Sequence, residues 1–418
     1  MKDTSNAWST LSRFRDEACL FFKEREQLVE CGLVALLSNS HLFILGPPGT
    51  AKSMLAETLA SGIEGASYFY AMMHKFLTWR DLACGEVIVR EDSAGGIKSI
   101  RFRNTEGPLL RAHFIFLDEL FKAGAATNNS LLNLLQERIY SINAGEVSKS
   151  PLMMAVAAGN EMPASGEEQL RAFADRFLIW YEVDYISVTH DGNTAFIDML
   201  EEVGSPPVCG LSLEEILYLR AEAQKVPIGR DILGVINSLR AALRLEHRIE
   251  PSDRRFKASL RAIRAYAFLN GHARVEIGDL AILEHILWAG REREVRDVVR
   301  KIVREFSGDA ALSGVEVLFR EANEAYRDAV SLLERADREI PLDDTQRKRR
   351  DDIRKDALAR ERSLTEITES MAAGIKGMSS RRANTLARFF LNQTNVLRKA
   401  LIARRGVEDP FVGAAHGS

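Results

Sequence analysis

The chain has 418 residues, 46% of them hydrophobic, and 56 Lys plus Arg against 59 Asp plus Glu leave a net charge of -3. That length exceeds one ordinary core and predicts two or three domains. The near balance of charge excludes a general electrostatic case for binding nucleic acid or membrane, so any such case must be local.

Leu11 to Leu37 carry apolar residues at helical spacing, and His41 to Leu45 is a short apolar run that stops at Gly46-Pro47-Pro48-Gly49. This reads as a buried strand feeding a tight loop. Apolar runs at Ala66 to Tyr70, His113 to Leu117, Leu152 to Ala158 and Phe177 to Val183 alternate with helical patterns, which implies βαβ units around a mainly parallel sheet. Glu86 to Arg90 with Ile97 to Arg103, and Arg138 to Ile142 with Glu146 to Ser148, flank glycine turns and read as β-hairpins. After Tyr185 the strand signal fades, Pro206-Pro207 marks a boundary, and Leu211 to Arg304 reads as amphipathic helices. Beyond Gly308 apolar positions recur at helical spacing on both sides of Pro341, as in a helical hairpin.

The four cysteines, Cys19, Cys31, Cys84 and Cys209, match neither a zinc site nor a disulfide framework and are expected to be reduced thiols. The polar N-terminus has no apolar leader, and no run of about 18 apolar residues occurs. The expectation is a cytoplasmic protein without membrane insertion.

The motif that carries most chemistry is Gly46-Pro47-Pro48-Gly49-Thr50-Ala51-Lys52-Ser53, which follows a strand and opens a helix. Backbone N–H groups of such a loop surround phosphates, a lysine at the position of Lys52 reaches the β- and γ-phosphates, and a hydroxyl at the position of Ser53 binds Mg²⁺. Met54 completes the expected nucleotide contacts. Ala51 stands where the pattern has its second glycine, so the local backbone must tolerate a methyl group. Downstream, Phe114 to Leu117 is an apolar strand ending in Asp118 and Glu119. Asp118 would hold the magnesium, and Glu119 would polarise the attacking water. A third strand ends in Asn160, whose amide could orient that water or contact the γ-phosphate; an asparagine there is also an ordinary turn residue.

These residues resemble the MoxR branch of the AAA+ ATPases, and within it the RavA-like proteins, over roughly residues 11 to 305. The likeness rests on the loop at Gly46, on Ile115 to Gly124, on Ala157 to Glu161, on Ala174 to Phe177 and on Pro251 to Arg255. It implies an α/β P-loop module with a parallel sheet flanked by helices and two β-hairpin inserts. The expected division is a nucleotide-binding core with an N-terminal helix (1–190), an all-helical lid (206–305), a helical hairpin with a basic helix (306–405) and a loose tail (406–418). It further implies Mg²⁺-dependent ATP hydrolysis in a homo-oligomeric, hexameric ring, acting on a protein client or with a von Willebrand factor A domain adaptor.

Two arginine roles come from the same resemblance. Arg176, with Arg171 as rival, would be a finger that reaches the ATP of the next subunit; a helix-end arginine paired with Asp175 is the plain alternative. Arg254, with Arg255 as rival, would be a sensor that reads the γ-phosphate and couples nucleotide state to lid angle. Ser252 or Asp253 would cap the helix there in either case. Gly374 to Arg405 holds eight Lys or Arg and no acid; it reads as a basic helix packed through its apolar positions, with nucleic-acid binding as the other reading. Alternatives for the whole chain are an AAA+ NTPase acting on nucleic acid and an ATP-binding scaffold without turnover.

Overall fold

The computed structural model describes residues 4–93, 96–141, 147–162, 173, 175–187, 196–201, 205–289, 291–308, 310–338, 344–376, 391, 394–399 and 401. Two helices, α1 (Thr4–Phe21) and α2 (Glu26–Leu37), lead into β1 (Leu42–Leu45), and the loop after it opens α3 (Lys52–Ser61). Then come β2 (Ile63–Glu64), β3 (Tyr68–Met72), a short α4 (Trp79–Ala83), the paired β4 (Cys84–Ser93) and β5 (Gly96–Glu106), a one-turn α5 (Pro108–Arg111) and β6 (Phe114–Asp118). A 3₁₀ turn (Leu120–Lys122) precedes α6 (Ala125–Glu137), the two-residue strands β7 (Ile139–Tyr140) and β8 (Ser148–Lys149), and then β9 (Met154–Gly159) and β10 (Ile179–Glu182). After β11 (Leu211–Ser212) the chain is helical: α7 (Leu213–Ala223), α8 (Arg230–His247), α9 (Asp253–Leu269), a 3₁₀ segment (Ile277–His285), α10 (Arg293–Phe306), α11 (Ala310–Arg338) and α12 (Asp344–Lys376).

The five main strands form one parallel sheet in the order β10-β1-β9-β6-β3. β1 and β9 are buried along their whole length, as expected when helices cover both faces of a parallel sheet, and this is why their sequences are unbroken apolar runs. The register aligns Leu45 with Gly159 and Leu117 with Ala157. The residues that leave β1, β9 and β6 therefore emerge side by side at the C-terminal edge. At the opposite edge His41 pins the sheet: its Nδ1 accepts from the Ala155 N–H at 2.9 Å, and its Nε2 lies 2.8 Å from the Leu135 carbonyl oxygen. Burial and the neighbouring Arg138 push the His41 pKa well below its ordinary value, so the ring serves as a neutral structural link.

By its contacts the chain divides into two compact units, Met1–Ser187 with Thr194–Val303 and Val188–Asn193 with Arg304–Ser418. In the first, the helical region is joined to the sheet through Trp180, whose ring lies 4.2 Å from Phe43 and 5.7 Å from Trp288 between centroids. α1 is tied in as well, since Trp8 Nε1 donates to Phe268 O at 3.1 Å and Arg15 donates to Leu269 O at 3.0 Å. In the second unit α11 and α12 pack through a seam of Ala322, Ala325, Ala329 and Leu364, joined by Leu401. The small side chains let the helix backbones approach closely.

Some expectations shift. The second half of the chain is not strand-free, because β11 pairs in parallel with β2; two residues are too few to leave a periodic signal. The first hairpin is longer than its apolar alternation suggests, running from Cys84 to Glu106. The tip of the second hairpin, the turn at Pro341 and most of the basic stretch from Gly374 to Arg405 lie outside the described residues.

Truncating Trp180 to Ala should cost about 3–5 kcal/mol by removing a fully buried aromatic, read as a lowered midpoint in urea unfolding. A loss below about 1 kcal/mol would show that the sheet and the helical region are joined elsewhere.

Candidate active site

The candidate nucleotide loop begins where β1 ends. The Gly46 N–H donates to Gly159 O at 3.0 Å, which ties the loop to β9, and Gly46 packs against β10 so closely that an added Cβ would sit 2.2 Å from Val183 O. Thr50 Oγ1 donates to Pro47 O at 2.9 Å and closes the turn. Ala51 then adopts φ 63° and ψ 23° immediately before α3. That left-handed backbone explains the glycine of the pattern. Pro48, Gly49, Ser53 and Met54 are exposed, and Pro47 is half-buried, so the loop and the first turn of α3, whose leading N–H groups have no acceptor within the helix, face outward.

Lys52 is buried and folded over this loop. Its Nζ donates to Gly46 O at 2.7 Å, to Pro47 O at 2.8 Å and to Asn160 Oδ1 at 3.2 Å. Burial lowers its pKa, while Asp118 and Glu119 act in the opposite direction and hold the charge. Asn160 in turn donates through Nδ2 to Glu119 Oε1 at 2.5 Å. Asp118 Oδ1 accepts from the Glu119 N–H at 3.0 Å. Glu119 has φ 54° and ψ 44°, a second non-glycine residue in the left-handed region at this site, and such strain marks positions held by their surroundings for function. The structure thus brings Lys52, Asp118, Glu119 and Asn160 together at the C-terminal edge of the sheet, where open α/β sheets bind ligands.

Lys122, which the motifs do not single out, adds a charge here: its Nζ lies 3.4 Å from Glu119 Oε2. The donor set suits Mg²⁺ and a triphosphate, with a hydroxyl at Ser53, a carboxylate at Asp118, an ammonium at Lys52 and exposed loop amides between them.

The arginines lie elsewhere. Arg176 precedes β10, and Arg254 is on the first turn of α9; both line a cavity with Asn39, Ser40 and His41, the residues before β1. The four residues of β1, about 13 Å of strand, separate that edge from the nucleotide loop. The two arginines meet each other instead: Gln136, with its side-chain oxygen turned toward them, accepts from Arg176 at 3.2 Å and from Arg254. Burial lowers the Arg176 pKa, and the Arg254 charge lowers it further against the opposing pull of Asp175.

The ambiguity between Arg254 and Arg255 separates by burial. Arg255 is 5% exposed and donates to Leu178 O and Ile286 O at 3.0 Å each and to Asp175 Oδ1 at 2.5 Å. Asp175 therefore pairs with Arg255 and not with Arg176, contrary to the plain alternative for that residue. Ser252 caps α9 by accepting from the Arg255 N–H at 3.2 Å. Arg171 lies outside the described residues. Arg255→Met should leave several carbonyls unpaired and cost on the order of 3 kcal/mol in urea unfolding, while the exposed Arg254→Ala changes stability by less than about 0.5 kcal/mol. Equal losses for the two would contradict this division.

Comparison with known proteins agrees with the geometry. Residues 9–196 match the family model described as the MoxR domain in the MoxR-vWA-beta-propeller ternary systems, and residues 231–303 match an AAA lid domain. The uncharacterized protein MJ0079 of Methanocaldococcus jannaschii is 37% identical over 66% of this chain and 70% of that protein. MJ0812 of the same organism is 36% identical over 75% and 81%. The chaperone MoxR1 of Mycobacterium tuberculosis is 31% identical over 43% of this chain and 45% of its own length. The crystal structure of a Cytophaga hutchinsonii protein described as a candidate ATPase superposes with a TM-score of 0.58 at 20% identity, covering 72% of this chain and 95% of the other. With a P-loop and acidic pair at one edge of a parallel sheet and an AAA lid behind it, the chain belongs to the MoxR family of AAA+ ATPases.

Proposed function

We propose that this protein hydrolyses ATP with Mg²⁺ in a ring of identical subunits and uses the reaction to remodel or activate a protein partner, one with a von Willebrand factor A domain. The observation that carries the reading is the convergence of Lys52, Asp118, Glu119 and Asn160 at the ends of three adjacent strands. Lys52, now bonded to loop carbonyls, is within reach of a phosphate chain lying along the loop. Asn160 holds Glu119 by one carboxylate oxygen and leaves the other toward Lys122, so the base is oriented before any water is present. Ser53 and Asp118 would hold the magnesium, which when bound neutralises charge on the β- and γ-phosphates.

The ring is supported by the separation of the arginines from the phosphate loop. Arg176 and Arg254 lie at the other edge of the sheet, so they can stabilise transition-state charge only on a nucleotide held by another subunit. On this reading both act in trans, and the exposed member of the Arg254–Arg255 pair is the sensor. Partner choice is supported by the description of the matching family and by the chaperone name of one relative.

Lys52→Ala should abolish ATP binding, and Glu119→Gln should keep binding while lowering turnover by roughly 10²-fold or more. Light scattering of Glu119→Gln with ATP should give about six subunits, reduced when Arg176→Ala is added. Wild-type turnover in Glu119→Gln would remove the assigned base, and a monomer under every nucleotide condition would remove the ring.

A further inference from the structure

Arg293, Arg296 and Arg300 fall at i, i+3 and i+7 on α10, which places them on one face of that helix. Arg293 Nε lies 2.5 Å from Glu182 Oε1, Arg296 Nη1 holds Glu182 Oε2, and Arg300 Nε lies 3.7 Å from Glu284 Oε2. Glu182, its side chain only 10% exposed, is thus gripped on both carboxylate oxygens by two guanidinium groups. Two cations in the first turn of a helix run against its dipole, which favours acids there. Such a local preference is overridden where a tertiary contact has a task.

Glu182 ends β10 in register with Leu45, the last residue of β1. The next residue, Val183, donates its N–H to Leu45 O at 2.8 Å, and Val183 O is the atom that leaves Gly46 no room for a side chain. The clasp on α10 is therefore one residue removed from the contact that sets the start of the nucleotide loop. At its other end α10 runs out of the first compact unit, since the division falls between Val303 and Arg304, within the helix. Residues beyond 303 lie outside both matching family models, so the family likeness assigns no task to the helical unit they form.

We propose that Glu182 is a positioning residue through which the C-terminal helical unit regulates the nucleotide site. A pull on α10 passes through Arg293 and Arg296 to Glu182, along the backbone to Val183, and so to Gly46. The coupling is reciprocal, as any linkage between two sites must be, and it rests on the ATP reading above.

The first test is turnover of full-length Glu182→Gln as a function of ATP concentration. Glu119 and Asn160 follow β6 and β9, neither of which pairs with β10. The KM for ATP should therefore rise about fivefold or more while kcat stays within about twofold. Arg293→Gln/Arg296→Gln should do the same, and Glu182→Asp, which keeps a carboxylate in the clasp, should hold KM within about twofold of wild type. Loss of folded protein alone would lower kcat and leave KM unchanged, and that result would overturn the proposal. Absence of turnover in the wild type would remove the ATP reading and the coupling with it, whereas normal wild-type turnover with an unchanged KM in Glu182→Gln removes the coupling alone.

The C-terminal arm is read by amide hydrogen exchange in Glu119→Gln with and without saturating ATP, at concentrations where light scattering gives the same assembly state. ATP should change protection in the last turn of α10 and in α11, and adding Glu182→Gln should erase that change with ATP still bound. A change that survives Glu182→Gln, or no change in the parent, would contradict the relay.

Discussion

Gly46 has no room for a side chain, because β10 passes so close that a Cβ would collide with Val183 O. This contact fixes where β1 ends and the loop begins. The hydrogen bond from Gly46 to Gly159 sets the loop level with the end of β9, and the register of β9 with β6 then brings Asp118 and Glu119 to the same edge. From that alignment follows the chain of contacts from Lys52 through Asn160 to Glu119. Two non-glycine residues, Ala51 and Glu119, accept left-handed backbone to complete it. Conformations of that kind cost on the order of 1–2 kcal/mol each and persist because the buried sheet beneath them overdetermines the loops.

The same parallel sheet has a second edge with the opposite chemistry. Carboxylates, the lysine and outward-facing amides gather where the strands end, and guanidinium groups gather where they begin. A parallel sheet enforces this division, since residues following the strands and residues preceding them cannot share one edge. Arg255 belongs to neither function: buried and bonded to Asp175, Leu178 and Ile286, it fastens α9 and the following 3₁₀ segment against the start of β10. In doing so it fixes the first turn of α9, and Arg254 with it, at the open edge. On the proposed account one subunit supplies the acids and the loop, and the next supplies the arginines.

Much of this was legible in the sequence because it is local. A fully buried parallel strand is an unbroken apolar run, and the residues just past Leu45, Leu117 and Gly159 stand at its exit whatever the rest of the chain does. The cap at Ser252 was legible for the same reason. What could not be read was long-range. Gln136 sits at the end of α6 and Arg261 in mid-helix, and nothing in their neighbours in sequence says that they face Arg176. That Arg255 is buried and Arg254 exposed could not be read either, because adjacent residues on a first helical turn differ only in the direction they point. The pairing of Asp175 with Arg255, 80 residues away, displaced the simpler expectation of a pair with its neighbour Arg176. β2 and β11 escaped notice because two residues form no period.

The central claim is that a working site needs residues from two subunits. Its most direct measurement is ATP turnover in a mixture of Glu119→Gln and Arg176→Ala subunits, each inactive alone. In mixed rings an Arg176→Ala subunit keeps its own Glu119 and receives an intact arginine from its Glu119→Gln neighbour, so the account predicts that activity returns on mixing and peaks near equal proportions. A mixture as inactive as either component, under conditions where the two variants are seen by light scattering to assemble together into rings, would contradict it.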